Sequence, residues 1–178
     1  MVKYRLFTAL LVVILLLFVP KLSFAKSNYV LPYPSFMPGS KIYKIHLLWE
    51  QISRYWYFGN LSQFKYNLAQ ADKYLVESKT LFEYKQYLLG YQALKKSDDY
   101  FSNTPFYIEK AKQEGKNTKE IEEIFKQAAI KHIEVLKDMQ RNVPEHFLWE
   151  PEKNSPTDLF LRESIANSIS IRNKWVKP

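Results

Sequence analysis

The sequence predicts an all-α protein, in which a compact helical bundle of four to five helices follows a signal peptide and a proline-rich extended stem. Apolar residues recur at alternating spacings of three and four along most of the chain, which is the period of a helix face. Hydrophobic residues fill 47% of the 178 positions and aromatic residues 16%, whereas Gly occurs only 4 times. Because strand-like alternation and hairpin dipeptides are not persuasive anywhere, packed helices are favoured over a turn-rich β-sandwich.

Residues 1–25 have the organisation of an export signal. Two basic residues precede an apolar run over 6–19, and Ser23 and Ala25 place small side chains at positions −3 and −1 of a cut after Ala25. As a helix, this run spans roughly 21 Å, which is shorter than the ~30 Å hydrocarbon core of a bilayer. We therefore expect cleavage and an extracytoplasmic protein, either secreted or in the cell envelope. An uncleaved signal anchor that tethers the bundle to the membrane is the alternative.

Residues 26–39 predict an extended stem. Three prolines in this stretch fix φ, and each disfavours a helix at the residue before it. The stem carries more large apolar groups than a passive linker needs. These groups either pack back onto the bundle, which we expect, or dock a partner. The candidate interaction residues are Tyr29, Leu31, Tyr33 and Phe36.

The helical bundle domain is predicted over 40–147, and its first helix is expected from Ser40 to about Phe58. The apolar residues of this helix form one seam, which we expect to face the core: Ile42, Ile45, Trp49, Ile52 and Trp56. The aromatic group at 55–58 is expected to cover the end of the bundle around a buried Trp56. A sugar-binding or membrane-interface patch is the alternative.

A second helix is predicted to take Asn60 as its N-cap and to run to about Glu83. Its apolar face keeps the same spacing and consists of Leu61, Phe64, Leu68, Ala71, Leu75, Ser78 and Phe82. A third helix is expected over 87–102. Thr104-Pro105 has the pattern of an N-cap residue followed by a proline at the first helical position. We therefore expect the helix to restart or kink there before it continues to Gly115.

A fourth helix is predicted to follow Asn117, which is expected to form a capping box with Glu120, and to end at Val143-Pro144. Its expected buried face consists of Ile121, Ile124, Phe125, Ala128, His132, Leu136 and Met139. Residues 148–178 are expected to form a polar loop and a C-terminal helix. That helix is predicted to start within 155–158, and its apolar stripe consists of Leu161, Ile165 and Ile169.

Composition excludes several classes of function. Cysteine is absent, which removes thiol catalysis, thiolate zinc sites and a lipoprotein anchor. Three of the 26 basic residues lie in 1–25, so 23 remain against 18 acids in the rest of the chain, a net charge of +5. These charges are spread out rather than concentrated, so we expect no nucleic-acid partner. The sequence also has no G-x-S-x-G motif and no phosphate-cradling glycine loop.

His132 is the histidine that lies on the predicted buried face of the fourth helix. It is either a metal ligand or general base, or a partly buried His that is hydrogen-bonded to a neighbouring helix. A di-metal site in a four-helix bundle needs a Glu three residues before the His, and that position is Ala129. We therefore expect the hydrogen-bonded His, and we predict no catalytic, cofactor-binding or metal-binding residue. The acid pairs at 98–99 and 122–123 are expected on a solvated face.

The residues after the signal read YVLPYP at 29–34, MPGS at 37–40 and Tyr at 43. This pattern resembles the Y-x-L-P-Y-P-x-x-x-P-x-S/D-x-x-Y opening of an uncharacterised bacterial domain-of-unknown-function family of exported helical proteins. Further similarity lies at 71–75, 131–136 and 143–145, so the resemblance covers most of 29–147. Ser35 stands where that family usually has glycine, and residues 148–156 are irregular beside the family's connection between helices. The resemblance implies a helical fold and an exported location, and it implies no activity.

Together these features predict a non-catalytic protein of the cell envelope that works as an interaction or scaffold module. A protein that binds or processes cell-wall polymer is the alternative. The expected partner is an envelope protein or polymer, and membrane contact is expected only through an uncleaved signal. A groove lined by Tyr or Trp with two convergent acids would favour the polymer alternative, whereas a filled bundle would favour the interaction module.

Overall fold

The fold is that of a computed structural model, which describes residues 27–34, 45, 48–49, 52–153 and 155–176. In these residues, a partly described helical stretch and a 3₁₀ turn precede four α-helices and one two-stranded sheet, and the prediction of a mostly helical bundle is confirmed. The predicted signal peptide and residues 26 and 35–39 of the predicted stem lie outside the described residues. The elements are α1 (Asn60–Glu83), α2 (Tyr87–Gln113), α3 (Lys119–Asn142), β1 (Phe147–Trp149), β2 (Thr157–Leu159) and α4 (Leu161–Asn173).

The helices enclose two apolar clusters. The predicted face of α1 is buried apart from the partly buried Leu61, and α1 packs along α2. The predicted face of α3 is buried apart from the exposed Ile124. α4 lies against α3 and α2, so the C-terminal helix belongs to the same core. Cluster one is centred on Phe64, Phe101 and Phe125, and cluster two contains Leu75, Leu94, Leu136, Leu161 and Ile165.

The predicted restart of the third helix at Thr104-Pro105 is wrong, because α2 runs through Pro105 without interruption. A proline inside a helix costs about 3 kcal/mol, since it removes one backbone hydrogen bond. Phe101, Thr104 and Ile108 are buried on either side of it. Burying one large apolar side chain contributes about 1.5–3 kcal/mol, so the packing of this face outweighs the proline.

α3 begins at Lys119, and the expected capping box between Asn117 and Glu120 does not form. Thr118 occupies the N-cap, which makes Glu120 the second helical residue, whereas a capping box needs its acid at the third. Two other hydrogen bonds hold this end. The Thr118 hydroxyl donates to Glu122 over 2.7 Å, and the Lys119 backbone N–H donates to the Asn117 side chain over 3.2 Å.

Residues 147–149 and 157–159 pair as antiparallel strands, with Phe147 opposite Leu159 and Trp149 opposite Thr157. The expectation of no strands and the predicted helix start within 155–158 are therefore both wrong. Each strand has only three residues, which is too short for a period of two to be recognised in the sequence. α4 begins at Leu161 instead, directly after β2.

The apolar seam of the predicted first helix does not face the core. Residues 45, 48–49 and 52–53 are helical, and a 3₁₀ turn follows at Arg54–Trp56. The side chains of the described seam residues, Ile45, Trp49, Ile52 and Trp56, are between 44% and 69% exposed, and Ile42 lies outside the described residues. The prediction of a buried Trp56 is therefore wrong. A helical period shows that an apolar face exists, and it does not show what that face contacts.

Candidate functional site

A network of polar side chains crosses the centre of the bundle. Each of the four helices contributes one ionisable group, and the segment 27–34 contributes a tyrosine. The members are Asp72 on α1, Asp98 on α2, His132 on α3, Arg172 on α4 and Tyr29. We call these five residues the central network.

Helical spacing places these residues at the core. Asp72 follows the buried Ala71 of α1, and His132 precedes the buried Leu136 of α3 by one turn. On α4, the buried positions recur at spacings of 4, 3 and 4, and this stripe ends at Arg172. The period that builds the apolar core therefore also carries the polar groups into it.

The hydrogen bonds of His132 define its tautomer and its charge. Arg172 Nε donates to Nδ1 of the imidazole over 3.0 Å, so Nδ1 carries no proton, because a guanidinium has only donors. The proton therefore lies on Nε2, which donates to Oδ1 of Asp72 over 2.7 Å. Burial, opposed in part by Asp72, lowers the pKa of His132. His132 is therefore neutral at pH 7, and the predicted hydrogen-bonded His is confirmed.

Asp72 accepts a second hydrogen bond from outside the four helices. The Tyr29 hydroxyl donates to Oδ2 over 2.6 Å, so both carboxylate oxygens are engaged. Burial, together with the adjacent Asp72 carboxylate, raises the pKa of Tyr29 well above its ordinary value. Tyr29 therefore stays protonated and remains a donor.

Arg172 is fully buried and directs its donors to several elements. Besides His132, its guanidinium donates to Asp98, to Ser97 Oγ over 2.9 Å and to the backbone carbonyl of Ser168 over 3.0 Å. Its carbon Cζ lies 4.8 Å from the ring centre of Phe101. Burial lowers the pKa of Arg172, and Asp98 opposes that effect. The arginine thus joins α2, α3 and α4 at a single point.

Asp98 does not lie on a solvated face, which corrects the expectation for that acid pair. Oδ1 pairs with Arg172, and Oδ2 accepts a 2.6 Å hydrogen bond from Ser168 Oγ. Its neighbour Asp99 is exposed, as are Glu122 and Glu123. Adjacent acids on a helix point in different directions, so one of the pair faces the core while the other faces water.

The burial of the central network limits the reactions in which its side chains could take part. A tyrosine, a carboxylate and an imidazole in a row are the groups that proton-transfer sites use. Here both ring nitrogens of His132 are occupied, and neither His132 nor Arg172 has any exposed surface. A general base must reach its substrate within hydrogen-bond distance. In this arrangement the network acts as a hydrogen-bonded link between the four helices and the segment 27–34.

No group of three or more His, Cys, Asp or Glu side chains that could hold a metal ion occurs in the part of the chain that the structure describes. The second imidazole in that part, His146, pairs with Asp158 over 3.2 Å at the exposed end of the sheet.

The four candidate interaction residues have different environments. Tyr29 belongs to the central network, and the partly buried Leu31 packs against cluster two. Tyr33 is 95% exposed, and Phe36 lies outside the described residues. The segment 27–34 has no regular secondary structure, and its first residue is held by α3, since Ser27 Oγ donates to the Gln127 carbonyl over 2.8 Å. A partner-binding role for these residues stays a prediction.

A shallow recess lies near the connection of α1 and α2, with a volume of ≈ 200 Å³. Its lining includes Tyr87 and two acids, Glu83 and Asp138. Lys79 lies 3.6 Å from the first carboxylate and 3.8 Å from the second. The volume is below the about 300–1,000 Å³ that is usual for small-molecule sites.

Sequence reasoning missed Asp72, Asp98 and Arg172 as site residues. The signal available in the sequence was the position of each residue relative to the apolar stripe of its helix. Ser168 and Arg172 continue the spacing of Leu161 and Ile165, and Asp98 falls next to the buried Ser97. A charged residue in phase with a buried stripe predicts a partner in the core, because burying an unpaired charge is costly.

Comparison with protein-family models, with curated proteins and with solved structures found no match to this chain. Among the helices that the structure describes, none combines the length and the apolar character needed to cross a membrane.

Proposed function

We propose that this chain is an exported, non-catalytic helical protein that acts by binding, as an interaction or scaffold module of the cell envelope. One observation carries the proposal. The side chains best suited to acid-base chemistry, Tyr29, Asp72 and His132, hydrogen-bond to one another inside the bundle. Such a network contributes a defined, stable shape, and a binding module needs that shape.

The proposed export rests on residues 1–25, which have a charged start, an apolar run and small residues before the expected cut. Ser27, the first residue that the structure describes, lies two positions after that cut, and its backbone N–H donates to Glu134 over 3.0 Å. Cleavage after Ala25 would therefore remove none of the described contacts. The expected product is a mature chain that begins at Lys26, and intact-mass measurement of exported protein tests it. A tethered product that retains residues 1–25 is the alternative.

The experiment that tests the binding role is a cross-linking pull-down from intact envelopes. The mature chain is compared with a His132→Gln variant, in which one amide keeps both a donor for Asp72 and an acceptor for Arg172. The folded variant is expected to capture the same envelope component as the wild type. Loss of capture by a variant with a native melting curve would contradict the proposal, because it would give His132 a direct role.

The alternative function, binding or processing of cell-wall polymer, rests on the recess beside Tyr87. This recess combines one aromatic ring with Glu83 and Asp138, which is part of the arrangement that such a site needs. Lys79 lies beside both carboxylates, which favours polymer binding over hydrolysis. A Tyr87→Ala variant separates the two functions: reduced sedimentation with purified cell wall would support the polymer alternative, and unchanged sedimentation would contradict it.

A further inference from the structure

The described residues between positions 45 and 56 expose several large apolar side chains to solvent. Trp49 and Trp56 meet edge to face with ring centres 5.3 Å apart. Six side chains of the segment are between 44% and 76% exposed, and we call them the exposed apolar face: Ile45, Leu48, Trp49, Ile52, Tyr55 and Trp56.

The exposed apolar face has the width of a surface that helices normally bury. Ile45, Trp49, Ile52 and Trp56 recur at spacings of 4, 3 and 4, and Leu48 and Tyr55 widen the stripe on one side. In the α-helical period of 100° per residue, positions 45, 48, 49 and 52 span roughly 100°, which matches the apolar stripe of a core-facing helix. Tyr55 and Trp56 extend this stripe into the 3₁₀ turn. A contiguous exposed apolar patch of this kind marks an interaction surface.

The chemistry of the segment indicates what covers this face. Residues 40–58 contain Lys41, Lys44 and Arg54 against Glu50, a net charge of +2. An apolar face rich in Trp together with excess basic residues is typical of helices that lie in the interface of an anionic membrane. Trp and Tyr favour the headgroup level of a bilayer, because their rings have an apolar body and a polar edge.

We infer that the exposed apolar face docks on the surface of an anionic lipid bilayer, without crossing it. A second copy of the chain fits less well, since a two-fold contact would bring the basic segments of two copies together, and like charges across an interface cost free energy. An anionic headgroup layer attracts the same charges. The inference goes beyond the proposed function, because it concerns a surface that the stem residues Tyr29 to Tyr33 do not form.

The experiment uses residues 26–178, which retain every described core residue and hydrogen bond. The probe is a vesicle of phosphatidylcholine with a quarter of phosphatidylglycerol. The test variant combines Ile45→Ser, Trp49→Ser and Ile52→Ser. The matched control combines Phe106→Ser, Leu148→Ser and Phe160→Ser, three side chains of comparable exposure (50% to 57%) in other parts of the fold.

The wild type is expected to sediment with the vesicles. The test variant is expected to lose at least tenfold in partition coefficient, and the control variant is expected to stay within twofold. Absence of wild-type binding, or equal loss in both variants, would overturn the inference. It would also be overturned if light scattering showed a wild-type dimer that the test variant does not form, because the face would then belong to a second copy.

A second measurement keeps the inference testable if the test variant unfolds. Trp149→Phe and Trp175→Phe together leave Trp49 and Trp56 as the only tryptophans. Vesicles with brominated acyl chains are expected to quench their fluorescence strongly. Unquenched emission in a chain with native circular dichroism would overturn the inference. A failed pull-down from envelopes would affect the proposed function and would leave this result unchanged.

Discussion

The Tyr29 hydroxyl donates a 2.6 Å hydrogen bond to Asp72, and this bond joins the segment 27–34 to the centre of the bundle. The same carboxylate accepts a hydrogen bond from Nε2–H of His132, so Tyr29 and a residue on α3 share one acceptor. If Tyr29 moves away, Asp72 loses one of its two donors inside a buried site. Docking of this segment and the order of the four helices are therefore linked energetically.

Removing the Tyr29 hydroxyl is expected to destabilise the protein. A hydrogen bond to a charged group contributes about 1.5–3 kcal/mol, so Tyr29→Phe should lower the free energy of unfolding by about that amount. The matched control is Tyr33→Phe, which removes the hydroxyl of a 95% exposed tyrosine and should change the free energy of unfolding very little. Urea unfolding of both variants measures the difference. Equal stability of the two variants would show that the bond to Asp72 contributes nothing.

Replacing Arg172 by methionine or by lysine is expected to destabilise the protein. Arg172→Met leaves the Asp98 carboxylate, whose side chain is 18% exposed, without its cation. Breaking a buried pair costs about 3–5 kcal/mol, and a loss near the lower end of that range is expected. Arg172→Lys should recover only part of this loss, because an ammonium cannot reach His132, Asp98 and Ser97 from one planar group. Lys174→Met, at an exposed position on the same helix end, is the control. Full rescue by lysine would contradict the proposed three-way geometry.

Stability is expected to fall in mild acid because of His132. Its folded pKa is lowered, so the unfolded chain takes up a proton near pH 6.5 that the folded chain excludes. Above the pKa that His132 has in the unfolded chain, this residue does not change the free energy of unfolding. As the pH falls below that pKa, the free energy of unfolding decreases. The slope is at most about 1.4 kcal/mol per pH unit. Urea unfolding between pH 7.5 and 5.5 measures it.

His132→Gln provides the control for the pH effect. The variant keeps a donor and an acceptor in the network but has no group that titrates in this range. Its stability should therefore depend less on pH than that of the wild type. The exposed His146 is present in both chains and cancels in the comparison. Identical pH profiles would show that His132 does not cause the loss.

The predicted elements that agree with the structure are the long amphipathic helices. The 3–4 spacing from Phe64 to Phe82 gave the correct face of α1, because an amphipathic stripe of 24 residues is long enough to be unambiguous. The strands were missed because three-residue segments have no readable period. Their pairing, Phe147 with Leu159, is set by contacts across the hairpin.

The central network could be predicted only in part. His132 was placed correctly on a buried face because its apolar neighbours reveal the phase of α3. Its two hydrogen-bond partners, Asp72 and Arg172, come from α1 and α4. The relative rotation of helices depends on tertiary packing, which no local pattern encodes. Trp56 gives a second example of this limit. The helical period identified its apolar stripe correctly, but it did not show that the stripe faces solvent instead of the core.

Gly90 tests the packing between α1 and α2. In a helix interior, alanine is favoured over glycine by about 0.8–1.0 kcal/mol, so propensity alone predicts that Gly90→Ala stabilises the protein. A Cβ at this position would lie 2.6 Å from Cδ1 of the Phe82 ring, which is a steric overlap. Overpacking typically costs about 1–3 kcal/mol, so a net loss of stability is expected. Adding Phe82→Leu should make the Ala substitution less harmful, and a stabilising Gly90→Ala would show that the ring moves freely.

Substitutions at Tyr33 and Leu31 distinguish the two possible roles of the stem, which are binding a partner and packing on the bundle. The ring of Tyr33 is almost fully exposed and lies between Pro32 and Pro34, which hold the backbone extended and reduce the entropy lost on binding. Tyr33→Ser should therefore leave urea unfolding unchanged and reduce cross-linking to the envelope partner. Leu31 packs on cluster two, so Leu31→Ser should cost about 1–3 kcal/mol while the folded fraction keeps its partner. Retained cross-linking by Tyr33→Ser would contradict a role for Tyr33 in recognition, because among the candidate residues that the structure describes Tyr33 has the most exposed ring.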